Sequence, residues 1–240
     1  MSDPFRVPTL DLAGLRVDRA GFGIRLRDAL HEKGICYLTG PDIRKLPVVD
    51  VLTATRGFFA HSTESGIVDY ARLCDDTALT TVELRPMVSL WAQGLAALAP
   101  ELLGALAQAL GQPENYFDQW IGRARLRAGL VHVMPGDGES DTAPRDDFGF
   151  LNFLLPDLLC GMRVGDGAGG WADVFPRENS VLLTLGDGAE AATAGFLRAA
   201  PHRLWSPHAS KGRVAVTVTV DSGIESPSAP PELATHSLVN

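Results

Sequence analysis

Cysteine is scarce in this chain: Cys36, Cys74 and Cys160 are the only three in 240 residues. They are odd in number and none is spaced from another as metal ligands are, which argues against a disulfide-stapled scaffold and a cysteine-built zinc site. The expectation is a reducing, cytoplasmic compartment. Basic clusters are missing too. With 21 basic and 29 acidic residues the net charge is −8, and such a surface repels phosphate backbones and anionic lipid heads. Nucleic acid and membranes are therefore not expected partners. Long apolar runs are also lacking. The longest, Leu95 to Leu110, is interrupted by Pro100, Glu101 and Gln108, short of the roughly 20 residues that span a bilayer. The opening residues, Met1-Ser-Asp-Pro-Phe-Arg-Val-Pro, do not read as a secretory signal, and no segment repeats another.

What is present is an ordinary globular balance, 45% hydrophobic and 21% charged, in a length that suits one domain with a continuous core. We read residues 1–240 as that single domain: a helical part over about 1–120, a strand-rich core over about 121–222, and a loosely ordered Pro- and Ser-rich tail over 223–240. Thr9-Leu-Asp-Leu reads as an opening strand. Phe22, Leu26, Ala29 and Leu30 recur at helical spacing, and Gly34 closes that helix. Ile35-Cys-Tyr-Leu-Thr is strand-like, and a second helix follows Pro47 over 48–59. Helix is predicted again over about 87–119, with Pro100 starting a new segment. Residues 60–80 show no clear pattern. From Arg125 short apolar runs alternate with Gly, Asp and Pro turns (125–134, 148–155, 160–164, 171–175, 180–185, 201–205 and 213–220), which favours an antiparallel barrel or sandwich. In the last run Val214, Val216, Val218 and Val220 share one face, and Arg213, Ala215, Thr217 and Thr219 the other. Valines opposite polar residues mark a strand that lines a polar pocket.

Several segments, in order, resemble the isopenicillin N synthase-like branch of the iron(II)/2-oxoglutarate dioxygenase superfamily. They are Val7-Pro-Thr-Leu-Asp-Leu, the stretch from Ala29 to Gly40, Phe58-Phe59-Ala60, and the stretch from Leu106 to Asp118. Asp147-Phe-Gly-Phe-Leu, Gly170-Gly-Trp-Ala-Asp-Val-Phe-Pro, Leu185-Gly-Asp and Pro201-His-Arg-Leu follow. The resemblance implies a double-stranded β-helix, or jelly roll, packed against N-terminal helices. It also implies an iron site made from a His-x-Asp pair and a distant His. His202 matches the distant His and Asp147 the Asp, but Arg145 stands where the first His belongs. Residues 145 and 147 of one strand share a face, and a guanidinium has no lone pair to give a metal. Arg145 is thus expected to pair with Asp147 and displace iron. Arg213 matches the arginine that grips the cosubstrate's distal carboxylate. Ala215 replaces the serine two residues on, and Val133 the assisting tyrosine.

On these residues the leading expectation is a small-molecule tailoring enzyme of natural-product type with no cofactor. His202, Asp147 and Arg145 would catalyse a non-oxidative cyclisation, isomerisation or elimination, and Arg213, His132 and Thr217 would bind substrate. A salt-bridged network in an inactive barrel is weighed equally. A second reading is a pseudoenzyme that binds a ligand or partner. A third is an iron(II)/2-oxoglutarate oxygenase using Asp147, His202 and an unusual third ligand, for which His132 is the candidate. Self-association is left open.

Overall fold

The computed structural model describes residues 5–61, 66–69, 84–121, 126–133, 149–158, 160–205 and 212–221. The helices among them are α1 (Gly14–Val17), α2 (Arg19–Glu32), α3 (Pro41–Arg44), α4 (Val48–His61), α5 (Leu84–Ala109), α6 (Asp118–Ile121) and α7 (Asp187–Ala192). The strands are β1 (Thr9–Asp11), β2 (Ile35–Thr39), β3 (Gly66–Asp69), β4 (Leu126–Val133), β5 (Leu151–Pro156), β6 (Gly161–Gly165), β7 (Trp171–Val174), β8 (Val181–Leu185), β9 (His202–Trp205) and β10 (Arg213–Val220). A seven-stranded sheet runs β1-β2-β8-β5-β10-β4-β3, and a three-stranded sheet runs β7-β6-β9. Among the described strands only β1 and β2 pair in parallel. This is the expected double-stranded β-helix with N-terminal helices. The division at about residue 120 does not separate helix from sheet, because β1, β2 and β3 join the large sheet from the N-terminal part.

Local chemistry explains most boundaries. α2 begins where the Asp18 carboxylate accepts from the Gly21 backbone N–H at 2.9 Å, satisfying one of the donors a helix start leaves over. It ends at Gly34, whose φ of +69° is readily open only to glycine. A Cβ there would also meet the Ala200 side chain and the Arg198 carbonyl. The largest departure from expectation is α5, which runs unbroken through Pro100. The proline forfeits the bond to the Ala96 carbonyl. The turns on either side are nonetheless held by packing, with Leu95, Ala99, Leu102, Leu103 and Leu106 all buried. By length and composition this 26-residue helix could cross a membrane, which the interrupted run had not led us to expect. Its most apolar window is 56% buried inside the protein, and the helix packs on α2 and α4, so it serves as the core helix.

The α2–α5 contact depends on Gly23. A Cβ there would lie 2.5 Å from the Ala105 carbonyl oxygen, and backbone cannot step aside as a side chain can. We expect Gly23→Ala to destabilise the fold by about 1–3 kcal/mol, the usual cost of overpacking, read as a lowered urea midpoint.

Strand alternation sorts the large sheet into two faces. Leu151, Phe153 and Leu155 of β5, Val181, Leu183 and Leu185 of β8, and Val214, Val216, Val218 and Val220 of β10 pack with the helices in one core. Leu154, Leu182, Ala215, Val131 and Val133 turn the other way. They join Ile35, Tyr37, Met162, Val164 and Val174 in a second core between the two sheets. That inner space holds the candidate site.

Candidate functional site

β10 and β4 run antiparallel, with Arg213 opposite Val133, Ala215 opposite Val131 and Thr217 opposite Gly129. Ala215, Val131 and Val133 belong to the inner core, so the face expected to be polar does line the barrel. Arg213 stands at one end of this row, 8% exposed, and its Nε is buried with no hydrogen-bond partner. A buried cation with an orphaned N–H is costly unless an anion meets it. The position opposite, where the resemblance places an assisting tyrosine, is Val133. Thr217 faces the same space, but its hydroxyl donates to the Gly129 carbonyl at 3.4 Å.

His202 opens β9, opposite Val164 of β6. It shares its face with Leu204, which packs on the inner core, so the imidazole points into the barrel from the small sheet. It is 8% exposed. Its Nδ1 lies 3.1 Å from the Ala200 carbonyl. A carbonyl only accepts, so Nδ1 carries the proton, and in the neutral ring the lone pair is on Nε2. A backbone carbonyl that fixes the tautomer in this way is typical of metal-ligating histidines. The chemistry of this donor fits a metal held on the barrel's inner side. Arg145 and Asp147 lie outside the described residues.

His132 requires a correction. It sits opposite Val214 on the β4–β10 ladder, on the helix-facing side of the sheet. Its ring stacks on Phe59 of α4, with centroids 4.7 Å apart. Residues 132 and 133 must face opposite ways, and Val133 takes the inner face. His132 can therefore neither be the third ligand nor touch a substrate beside Arg213. Cys160 also belongs to the inner core. Burial first, and then the Asp157 carboxylate, push its thiol up to about 12 while Arg213 works against them, so it is protonated near neutrality and poorly suited to bind metal. Asp157 is held from outside by Arg56 of α4 at 2.9 Å.

Two inner-face residues were missed by sequence reasoning. Asn152 of β5 is 5% exposed and Thr184 of β8 fully buried, and they stand directly opposite each other. Both amide atoms of Asn152 and the Thr184 hydroxyl lack hydrogen-bond partners. The available signal was a single polar residue inside each of two apolar runs, Leu151-Asn-Phe-Leu-Leu and Val181-Leu-Leu-Thr-Leu.

An inward histidine on the small sheet and a buried arginine on the large one thus face the space between the two sheets. Residues 126–222 match the 2OG-Fe(II) oxygenase superfamily, so the strand-rich part of the chain is similar to that family's domain. It is similar to mugineic-acid 3-dioxygenase of Hordeum vulgare, 29% identical over 123 residues, 50% of this chain and 36% of that protein. It is also similar to 1-aminocyclopropane-1-carboxylate oxidase 4 of Arabidopsis thaliana, 26% identical over 210 residues, 84% of this chain and 60% of that one. The chain thus spans between about a third and three fifths of these relatives' lengths. Among solved structures it shares its fold with dioxygenase for auxin oxidation 1 of Arabidopsis thaliana, in a 2-oxoglutarate binary complex. That likeness has a TM-score of 0.74 at 19% identity and covers 94% of this chain and 96% of that one. These findings overturn the expectation of a site without cofactors. The matched family is one of iron(II) and 2-oxoglutarate, and the match runs through positions 147, 202 and 213.

Proposed function

We propose that the protein is an iron(II)/2-oxoglutarate oxygenase of a small organic molecule, and that the metal-free, redox-neutral role expected from Arg145 gives way to it. The observation that carries this reading is Arg213, a buried guanidinium on the barrel's inner wall whose Nε has no partner. A dicarboxylate cosubstrate supplies the anion that arginine lacks, through charge-assisted bonds. His202, with its proton held on Nδ1 by Ala200, and Asp147 would hold the metal. Bound iron(II) with 2-oxoglutarate would supply dioxygen chemistry, one oxygen atom entering the substrate and the other the succinate left after loss of carbon dioxide. The apolar inner core around Arg213 excludes water and strengthens its hold on the carboxylate. Arg145 remains the departure from the family pattern. It cannot donate to a metal, and His132 faces the wrong way to replace the missing donor.

Anaerobic calorimetric titration with Fe(II) and 2-oxoglutarate, paired with a succinate assay in air, tests the reading. We expect succinate only when both are present, none from His202→Ala, and at least tenfold tighter Fe(II) binding by Arg145→His. Binding of 2-oxoglutarate without succinate formation would make the chain a ligand-binding relative of the oxygenases. Binding of neither would defeat the proposal.

A further inference from the structure

Asn152 and Thr184 share one rung of the large sheet. Along it Arg127 pairs with Thr219, Thr219 with Asn152, Asn152 with Thr184, and Thr184 with Ile35. Arg127, at the outer end, is exposed and faces Asp221 at 3.6 Å. The two central positions are neutral, buried and unpartnered in all three of their polar atoms. Buried polar groups are almost always hydrogen-bonded, so three orphans side by side on the inner face of adjacent strands call for an external partner.

That partner is not the cosubstrate. Thr219 lies six residues along β10 from Arg213, about 20 Å at roughly 3.3 Å per residue. A five-carbon dicarboxylate is about as long as two residues of extended chain, roughly 7 Å. Gripped at Arg213, it ends well short of this rung, even with an arginine's reach added. The other end of the chain of contacts is Gly149, two residues beyond Asp147 in sequence. A Cβ at 149 would collide with Thr219 Cγ2 and come within 3.3 Å of Asn152 Oδ1. The polar pair therefore adjoins the segment that leads from one proposed metal ligand.

We propose that Asn152 and Thr184 form a subsite for a neutral group of the primary substrate that both donates and accepts hydrogen bonds, an amide or lactam. The primary amide of Asn152 offers N–H and C=O side by side, matching the N–H and C=O of a lactam, and the Thr184 hydroxyl can serve either partner. With no charge at the two central positions, a carboxylate or ammonium would be desolvated there without compensation. The inference deepens the oxygenase reading and rests on it for the word substrate. The subsite itself rests on the rung.

The test uses Asn152→Leu and Thr184→Val, close in size and without the polar atoms. In ligand-free protein each variant should raise Tm, by about 2 to 6 °C, because it removes unmatched buried polar atoms. With 2-pyrrolidinone as the probe, saturation-transfer NMR should show binding to wild type at millimolar concentration and at least tenfold less to either variant. Affinity for 2-oxoglutarate should stay within twofold. A lowered Tm would show that the pair is already satisfied within the fold, by its own contacts or a structural water, and would overturn the proposal. So would undiminished pyrrolidinone binding, or a tenfold loss of 2-oxoglutarate affinity that places the pair in the cosubstrate site. If wild type binds no 2-oxoglutarate, the oxygenase reading fails, while the melting and probe results still decide the subsite.

Discussion

Arg213→Ala should weaken 2-oxoglutarate binding by about 100-fold or more, measured by anaerobic calorimetry in the presence of Fe(II). Hydrogen bonds to charged groups contribute about 1.5–3 kcal/mol each, and a tenfold change in affinity is about 1.4 kcal/mol. Loss of a two-pronged grip thus exceeds two orders of magnitude. Arg213→Lys should recover only part of it, since an ammonium keeps the charge but not the planar fork. The free protein should tolerate the loss. Arg213 is 8% exposed and its Nε unpartnered, so deleting the guanidinium relieves a buried, under-satisfied charge. A collapse of affinity with Tm unchanged or raised separates a binding role from a structural one. Unchanged 2-oxoglutarate affinity would remove the observation on which the functional reading stands.

Phe153→Ala should have the largest effect on stability. Phe153 is fully buried at the centre of the large sheet, between Val218 of β10 and Leu183 of β8, and its ring faces the core shared with the helices. Truncating such a ring costs about 3–5 kcal/mol through lost transfer energy and the cavity left behind. At about 2–4 °C per kcal/mol for a chain of this size, Tm should fall by about 6–20 °C. The neighbouring Asn152 makes the comparison sharp, because Asn152→Leu is expected to raise Tm. One residue along a strand moves a side chain from the wall that holds the fold to the wall that serves the site. The reverse pattern, a fall at 152 with a rise at 153, would need the two faces to be exchanged, which the β5 register does not allow.

Much of the architecture was legible because local patterns carry it. The seven runs expected between 125 and 220 all became strands, within three residues of their expected bounds. The helices ending at Gly34 and following Pro47 did likewise. Period-two and period-3.6 patterns survive folding because each element must bury one face. Pro100 misled for the converse reason. A proline's local penalty of about 3 kcal/mol is outweighed when the turns on both sides are packed into the core, and that packing is long-range. β3 and α7 were not anticipated: residues 66–69 lie in the stretch that showed no pattern, and α7 is only six residues long.

The site divides along the same line. Alternation along β10 by itself put Arg213, Ala215 and Thr217 on one face, and the order of motifs named the family. His132 and Val133 could not be assigned in this way. Both are compatible with an inward position until the ladder with β10 pairs Val133 with Arg213 and leaves His132 against Phe59. Asn152 and Thr184 are 32 residues apart and mean nothing separately. Only the pairing of β5 with β8 makes them neighbours, and only the closing of two sheets around them makes their missing hydrogen bonds costly. The sequence alone determined most of the elements, the family resemblance and the face on which Arg213 lies, because these depend on periodicity and on residues close in the chain. Which face looks inward, which histidine shares the site and where unpaired polar atoms gather were decided by tertiary structure, because register and burial arise only when distant strands meet.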